Sequence, residues 1–199
     1  MSQLTAIIKQ MKPYILSKAA NAESKAERII LTQSVAAATA GLASGFLPGA
    51  GAVIAVVTST GAIWSMYYRL CQELEIKISQ NILKALSSAI LTNIATNLGI
   101  LLVGELAASF IPGVAVAVSA AACYGITYLA GYLFMKLLVD LFKAGKNPAA
   151  MTADELTEAG RIAVQRENCR DIFKNARNEA KEKIRKGEIT KETKQEPIE

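Results

Sequence analysis

The sequence predicts an all-α protein built from two tandem apolar helical hairpins, four long helices in all, flanked by amphipathic N- and C-terminal helices. Residues 29–68 hold no Asp, Glu, Lys or Arg, and residues 85–135 hold a single one, Glu105. Each run is far longer than the ~20 residues that one apolar membrane-length helix needs. A Pro-Gly pair lies near the middle of each run, where it breaks a helix and lets the chain reverse. We therefore expect each run to fold as two helices joined by a turn.

The two apolar runs resemble each other as copies of one hairpin. The second Pro-Gly pair lies 64 positions after the first, at residue 112 instead of 48, and the same offset matches Tyr68 with Tyr132. A repeated helical unit of this length indicates duplication. The predicted hairpin turns are Pro48, Gly49, Pro112 and Gly113.

Residues 1–28 form a basic, amphipathic arm before the first apolar run. Apolar residues recur there at helical spacing, from Leu4 through Ile8 to Ile15, and Pro13 should kink this helix or divide it. Two interpretations remain open: the arm packs against the main body, or it lies on an anionic membrane face. The predicted membrane-surface basic residues are Lys9, Lys12, Lys18, Lys25 and Arg28.

Charged segments follow each hairpin and divide the chain. An amphipathic bridge at 69–84 joins the hairpins, and Thr152 with Glu155 forms a capping-box pattern that starts a helix after the second one. The tail that follows this helix is rich in Lys and Glu, so we expect it to be disordered. The predicted divisions are the arm 1–28, the duplicated hairpin domain 29–147 with units of about 29–84 and 85–147, an amphipathic helix within 148–185, and a charged tail at 186–199.

The charge of the chain lies on one side of both predicted hairpins, in the arm, the bridge and the C-terminal region. Basic residues outnumber acidic ones in the arm and the bridge, and basic loops stay on the cytoplasmic side of a membrane. In a membrane, the hairpins would either span the bilayer or enter it and return as wedges. A wedge turn at membrane depth must be covered by protein, which favours oligomers.

A water-soluble bundle is the alternative that polar residues within the helices support. Asn93 and Asn97 share a face that in a membrane must point at other helices or at a water-filled path, whereas in water it would simply be solvated. Against this alternative, stretches 53–57 and 98–103 are apolar on every side and need complete burial. We favour membrane integration, with Asn93, Asn97 and Glu105 as the intramembrane polar candidates.

Small residues at four-residue spacing predict close approach of helix backbones. They recur in both runs and serve packing within a hairpin or, in a second interpretation, self-association into a homo-oligomer. The predicted packing residues are Gly41, Gly45, Gly61, Ala117, Ala121 and Gly125.

Few residues of the chain suit catalysis or metal binding. There is no histidine, and the three cysteines are isolated, so we interpret them as reduced structural thiols. Glu105 is a functional candidate if it lies deep in a membrane and costs little if it lies near the interface. The net charge of +5 comes without the interleaved aromatic and basic residues of nucleic-acid-binding proteins. We expect no enzyme activity, no cofactor, no metal and no nucleic-acid partner.

The segment GLASGFLPGAGAVIAVVTSTGAIWSMYYRLCQEL, residues 41–74, resembles a bacterial helical domain of unknown function that is often joined to, or encoded beside, GTPase domains, the YcjF-like group. The shared features are small residues that lead into a Leu/Ile-Pro-Gly turn and a Thr/Ser-rich apolar helix that ends in a charged segment. The resemblance covers residues 30–145. It implies a bacterial, membrane-associated helical module that works with a GTPase, and a separate partner would supply that domain here.

Two functional hypotheses follow. The leading one is a non-enzymatic protein of the bacterial inner membrane, with both termini in the cytoplasm. It would oligomerise to shape, permeabilise or scaffold the lipid bilayer, or anchor a cytoplasmic partner such as a GTPase. The alternative is a cytoplasmic helical bundle that shields its apolar hairpins and inserts on a trigger or binds lipid; pore-forming colicin-type domains offer an analogy of architecture.

Overall fold

The computed structural model describes residues 3–14, 22–44, 51–108 and 115–190, with side-chain environments at 3–14, 24–43, 59–99 and 116–190. These residues form α-helices, one 3₁₀ turn and short connectors, with no strand among them, which confirms the all-α prediction. The helices are α1 (Gln3–Met11), α2 (Ala22–Ser44), α3 (Gly51–Glu73), α4 (Gln80–Ala108), α5 (Ala115–Lys143), a 3₁₀ turn (Pro148–Ala150), α6 (Ala153–Arg166) and α7 (Cys169–Arg185).

Helix α5 lies at the centre of the fold and contacts each of the other described α-helices. Its side chains from Val118 to Met135 are buried without a break. A helix that is apolar on every side has no face for water, so it is stable only when other helices surround it. The rest of the chain is arranged to provide that surrounding.

Helices α2 and α3 pack on α5 in opposite directions. Gly41 lies against Ala120 while Ile30 lies against Gly131, so α2 runs antiparallel to α5. The Tyr67 hydroxyl of α3 donates to the Ala130 carbonyl at 2.9 Å. Ser59 and Cys123, which are 64 positions apart, are joined by a longer bond of 3.4 Å from hydroxyl to carbonyl. The two α3 contacts make α3 parallel to α5.

The helix bounds around the two Pro-Gly pairs show the same spacing as the sequence. Helices α2 and α4 end at Ser44 and Ala108, and helices α3 and α5 begin at Gly51 and Ala115, each pair 64 positions apart. The turn residues Pro48, Gly49, Pro112 and Gly113 lie outside the described residues, as do Gly45 and Lys18.

The amphipathic end helices α1, α6 and α7, which we call the cover, lie on α2, α4 and α5. Helix α1 buries the predicted stripe Leu4, Ile7, Ile8 and Met11 against α2 and α5. It ends at Met11, two residues before Pro13, because proline lacks the amide hydrogen that would continue the helix. Helices α6 and α7 contact both α4 and α5.

The C-terminal region departs from the single amphipathic helix expected over 148–185. The capping box at its start is present, with Thr152 N donating to Glu155 Oε2 at 2.8 Å. The helix then stops at Arg166, and Asn168 caps a second helix by accepting a hydrogen bond from the Asp171 amide at 3.3 Å. A side-chain cap competes with helical continuation, which is why asparagine favours helix starts over helix interiors.

Candidate functional site

The central helix α5 is the first candidate for a functional element, because of its length and apolar composition. Within residues 3–14, 24–43, 59–99 and 116–190, one helical segment, Val116–Lys143, is long and apolar enough to cross a membrane, with a mean hydropathy of 1.4 over its best window. The interior of this protein buries 89% of that window. Buried core helices share this length and composition, so the segment alone decides nothing. The question is what holds the other helices on it.

Helix α7 covers α5 through an aromatic ring seated on a glycine. Phe173 is fully buried, and a Cβ added at Gly125 would lie 2.8 Å from its ring. Glycine is therefore required at this point of α5 for the ring to approach the backbone. The buried face of α7 is completed by small and aliphatic residues, namely Cys169, Ile172, Ala176 and Ala180.

A polar contact joins the same two helices; we call Tyr124, Glu179 and Lys183 the α7 latch. The Tyr124 hydroxyl donates to Glu179 Oε1 at 3.0 Å, and Lys183 Nζ lies 2.7 Å from the same carboxylate oxygen. Lys183 also lies over the Tyr124 ring, 5.4 Å from its centre. Hydrogen bonds to a charged group are stronger than neutral ones. The latch therefore adds a charge-assisted, directional hydrogen bond to an otherwise apolar contact.

A second polar contact lies about two turns along α5; we call Tyr132, Glu167 and Lys136 the loop latch. The Tyr132 hydroxyl donates to Glu167 Oε2 at 2.9 Å. Lys136 is 3.8 Å from Glu167 and also pairs with Asp140 of its own helix. Glu167 follows the last residue of α6, so this latch holds the junction of α6 and α7 on the central helix. Both latches tie the cover to α5 from outside the apolar core.

Helix α4 has one apolar face and one uncharged polar face. Leu86, Ile90, Ile94 and Leu98 are buried. On the other side, the side chains donate to carbonyls of their own helix: Asn93 to Ala89 at 2.8 Å, Thr96 to Thr92 at 2.9 Å and Asn97 to Asn93 at 2.9 Å. One N–H of each Asn amide and the Thr96 hydroxyl are thus bonded within α4 itself.

Two hydroxyls on the central helix are buried without a hydrogen-bond partner in the described structure. These are Ser119 Oγ and Thr127 Oγ1, and Thr39 Oγ1 of α2 has the same status. A buried, unpaired hydroxyl costs about 1–3 kcal/mol. The packing of α5 under its neighbours is therefore less stable than an all-apolar interface of the same shape.

The cysteines and acids of the described residues form no chemical centre. All three thiols, Cys71, Cys123 and Cys169, are free and buried. Burial, and then the nearby charge of Glu167, raises the pKa of Cys169 to about 11, so its unreactive thiol form dominates near neutral pH. No group of three metal-ligating side chains is present in the described part of the chain.

The structure brings together some of the predicted packing residues and separates others. A Cβ at Gly41 would meet Ala120 Cα at 2.9 Å, Gly125 lies under Phe173, and Ala121 is buried. Ala117 is half-buried. Gly61 differs from the expectation: it is exposed on α3, and a Cβ there would meet nothing within 4 Å. Spacing marks small residues on a helix, but tertiary packing decides which of them face a neighbour.

The predicted polar and basic residues lie mainly at the surface. Asn97 is exposed and Asn93 is half-buried, while Glu105 falls in the part of α4 whose side chains are not described. Lys9, Lys12 and Arg28 are exposed. Lys25 instead pairs with Glu73 at 2.9 Å and so ties the start of α2 to the end of α3.

Sequence reasoning did not find the two latches. Tyr124 and Tyr132 stand within an apolar helix, and their hydroxyls were the one available signal, because buried tyrosines usually need a hydrogen-bond partner. The partners Glu167 and Glu179 come from a region that the sequence marks only as charged and amphipathic.

Comparison of the chain with protein-family models, with curated proteins and with solved structures gives no match. The resemblance to the YcjF-like group therefore stays a prediction that rests on residues 41–74.

Proposed function

We propose that this is a non-enzymatic, membrane-acting helical protein that keeps a membrane-length helix covered and releases it into a lipid bilayer. The observation that carries the proposal is the burial of α5, a helix that is long and apolar enough to span a membrane, beneath helices attached partly by two polar latches. A predominantly apolar helix is stable in a protein interior and in lipid, so removal of its cover favours entry of α5 into a bilayer.

The outer surface of the described residues supports a covered form that tolerates water. Tyr14, 38% exposed, is the single large hydrophobic side chain that this surface exposes. A chain permanently embedded in lipid would present Leu, Ile, Val and Phe outward along its helices. Here the exposed positions of α2 and α4 are Ser24, Arg28, Ala40, Ala43, Lys84, Ala85, Ser88, Thr92, Thr96 and Asn97, together with the start of α4.

The unit that enters the membrane in this proposal is a hairpin of α4 and α5 with its turn at Pro112-Gly113. The pair α2 and α3, with a turn at Pro48-Gly49, is its duplicate. The 64-residue offset between the two Pro-Gly pairs in the sequence supports this arrangement. In the resting form the first hairpin serves as part of the surrounding of α5.

The bilayer that receives the hairpin is proposed to be anionic and bacterial, reached from the cytoplasm. Lys9, Lys12 and Arg28 are exposed on the N-terminal helices and can approach lipid phosphates. Assembly into homo-oligomers and cooperation with a separate GTPase remain part of the proposal, and they rest on the sequence.

Fractionation of the expressed full chain, followed by an alkaline carbonate wash, tests the proposal. We expect recovery without detergent, and carbonate-resistant binding after incubation with vesicles of phosphatidylethanolamine and phosphatidylglycerol. Complete retention in the washed membrane pellet from the outset would support the permanently integrated oligomer instead. A chain that never resists the wash, with or without vesicles, would contradict both forms.

A further inference from the structure

After Lys84, the exposed face of α4 is polar but uncharged, unlike the exposed faces of the other surface helices α6 and α7. We define the α4 stripe as Ser88, Thr92, Asn93, Thr96 and Asn97, which lie at four-residue spacing along two adjacent rows. Four of them are exposed and Asn93 is half-buried. No charged residue occurs anywhere between Lys84 and Glu105. The stripe is polar, uncharged and continuous over about 14 Å of helix.

Helix α7 shows what a solvated face looks like in the same molecule. Its exposed positions include Arg170, Asp171, Lys174 and Glu182, and α6 likewise exposes Glu155 and Glu158. Charged side chains are the usual outer residues of a surface helix, and each is expensive inside a bilayer. The α4 stripe contains none, although it faces water in the covered form.

The hydrogen bonds of the stripe also suit transfer out of bulk water. The amide groups of Asn93 and Asn97 donate to carbonyls four residues earlier, and Thr96 does the same. A donor that is satisfied within its own helix loses little when water leaves. The Asn Oδ1 atoms, the second N–H of each amide and the hydroxyl oxygens then remain to bond with water or with polar groups.

The face of α4 opposite the stripe is apolar. Leu83, Leu86, Ile90, Ile94 and Leu98 are buried in the covered form. Released with α5, this face can meet lipid or the apolar surface of α5. The stripe cannot face lipid, since unpaired acceptors in hydrocarbon are costly, and it must turn towards water or polar groups of other copies.

We infer that, once the α4–α5 hairpin enters a bilayer, the α4 stripes of several copies line a water-filled path for small ions. This inference rests on the proposed function, because it needs the hairpin to insert. The stripe itself carries no fixed charge, and its amide and hydroxyl groups both accept and donate hydrogen bonds, so the path it lines discriminates weakly between small cations and anions. This path resembles a carbonyl-lined ion-selectivity filter in one respect, namely that uncharged oxygen atoms face the ion.

Thiol chemistry on the stripe tests this placement in planar bilayers of phosphatidylethanolamine and phosphatidylglycerol in KCl. The variants are Thr92→Cys and Thr96→Cys, both at exposed positions where substitution leaves the fold intact. The probe is a trimethylammonium-bearing methanethiosulfonate, which adds a positive charge to an accessible thiol. The controls are Ile90→Cys on the buried face and the unaltered chain with its three native thiols. Insertion is scored separately by carbonate-resistant flotation with vesicles.

We expect every variant to insert, and the reagent to reduce the conductance of the two stripe variants by about fivefold or more while the controls change little. Thr96→Glu should raise, and Thr96→Lys lower, the ratio of K⁺ to Cl⁻ permeability several-fold. Insertion without conductance, or equal block of Ile90→Cys, would overturn the lined path and leave the proposed function standing. Failure of the unaltered chain to insert would overturn both.

Discussion

Helices α4 and α7 pack one side against the same central helix and differ on the side that faces out. From Ala85 to Asn97 the outer face of α4 is uncharged, and three of its side chains bond to its own backbone, whereas the outer face of α7 carries Arg, Lys, Asp and Glu. Only α7 adds a latch of tyrosine and carboxylate to its apolar contact. In the proposed function, this difference lets α4 accompany α5 into a bilayer, while α7 stays in water as the removable part of the cover.

The largest expected effect comes from loss of the ring that seats α7 on α5. Phe173→Ala removes a fully buried aromatic side chain above Gly125 and should lower the free energy of unfolding by about 3–5 kcal/mol. Chemical denaturation of the purified chain measures this loss. Alkylation of the buried Cys169 at pH 8 should accelerate in the same variant, because its pKa of about 11 falls towards the ordinary thiol value as α7 undocks.

Lys174→Ala is the matched control for this change. It alters the neighbouring, exposed position of the same helix and should change stability by less than about 0.5 kcal/mol. If Phe173→Ala unfolds the whole chain at once, with no rise in Cys169 reactivity below the unfolding transition, then α7 is part of one cooperative core and the contrast with α4 loses its meaning.

The second prediction concerns the contact that should persist when the cover leaves. At Gly41 an added Cβ would meet the backbone of Ala120 at 2.9 Å, and a backbone atom cannot move aside cheaply. Gly41→Ala should therefore destabilise the protein by about 1–3 kcal/mol. Gly61→Ala, on an open face of α3, should be neutral or stabilise by up to about 1 kcal/mol, because alanine favours helix more than glycine does. Thermal unfolding of the two variants side by side measures the difference, and equal losses would contradict the close α2–α5 approach.

The same two glycines show how far sequence reasoning reaches. Helical class and the cap at Thr152 follow from local chemistry and are confirmed, whereas the break predicted at each Pro-Gly pair lies outside the described residues. Which small residue faces a neighbour does not follow, because Gly41 and Gly61 sit in similar surroundings along the chain. Their environments differ only through packing between distant segments.

The C-terminal region shows the same limit for polar residues. Its charges predict an amphipathic helix, and its apolar positions predict a buried face. Asn168 caps the second of the two helices in this region. This local signal is hard to recognise in the sequence because charged residues surround it. The pairing of Glu179 with Tyr124 joins residues 55 positions apart, and no periodicity encodes it.

The α7 latch should have a smaller effect than the ring beside it. Tyr124→Phe keeps the aromatic volume and removes the hydroxyl that donates to Glu179, which should cost about 1 kcal/mol, since Lys183 still pairs with that carboxylate. Cys169 alkylation at pH 8 should rise about fivefold if this free energy holds α7 in place. Tyr14→Phe, an exposed tyrosine stacked on Phe142, should change neither quantity. An increase in stability on Tyr124→Phe would show that the latch opposes docking.

The smallest expected change in stability is that of a substitution on the α4 stripe, and a small change there bears on the proposed second state of this helix. Thr96→Ala removes a hydroxyl that bonds only to the carbonyl of Thr92, on an exposed face. Removal of this bond costs little in water, and the higher helix propensity of alanine offsets it, so unfolding should shift by no more than about 0.5 kcal/mol. A group that contributes so little to the covered fold is available for another state. If Thr96→Ala instead destabilises the chain by more than about 1 kcal/mol in denaturant titrations, the stripe is engaged by neighbouring residues and α4 is as fixed to this bundle as α5 is.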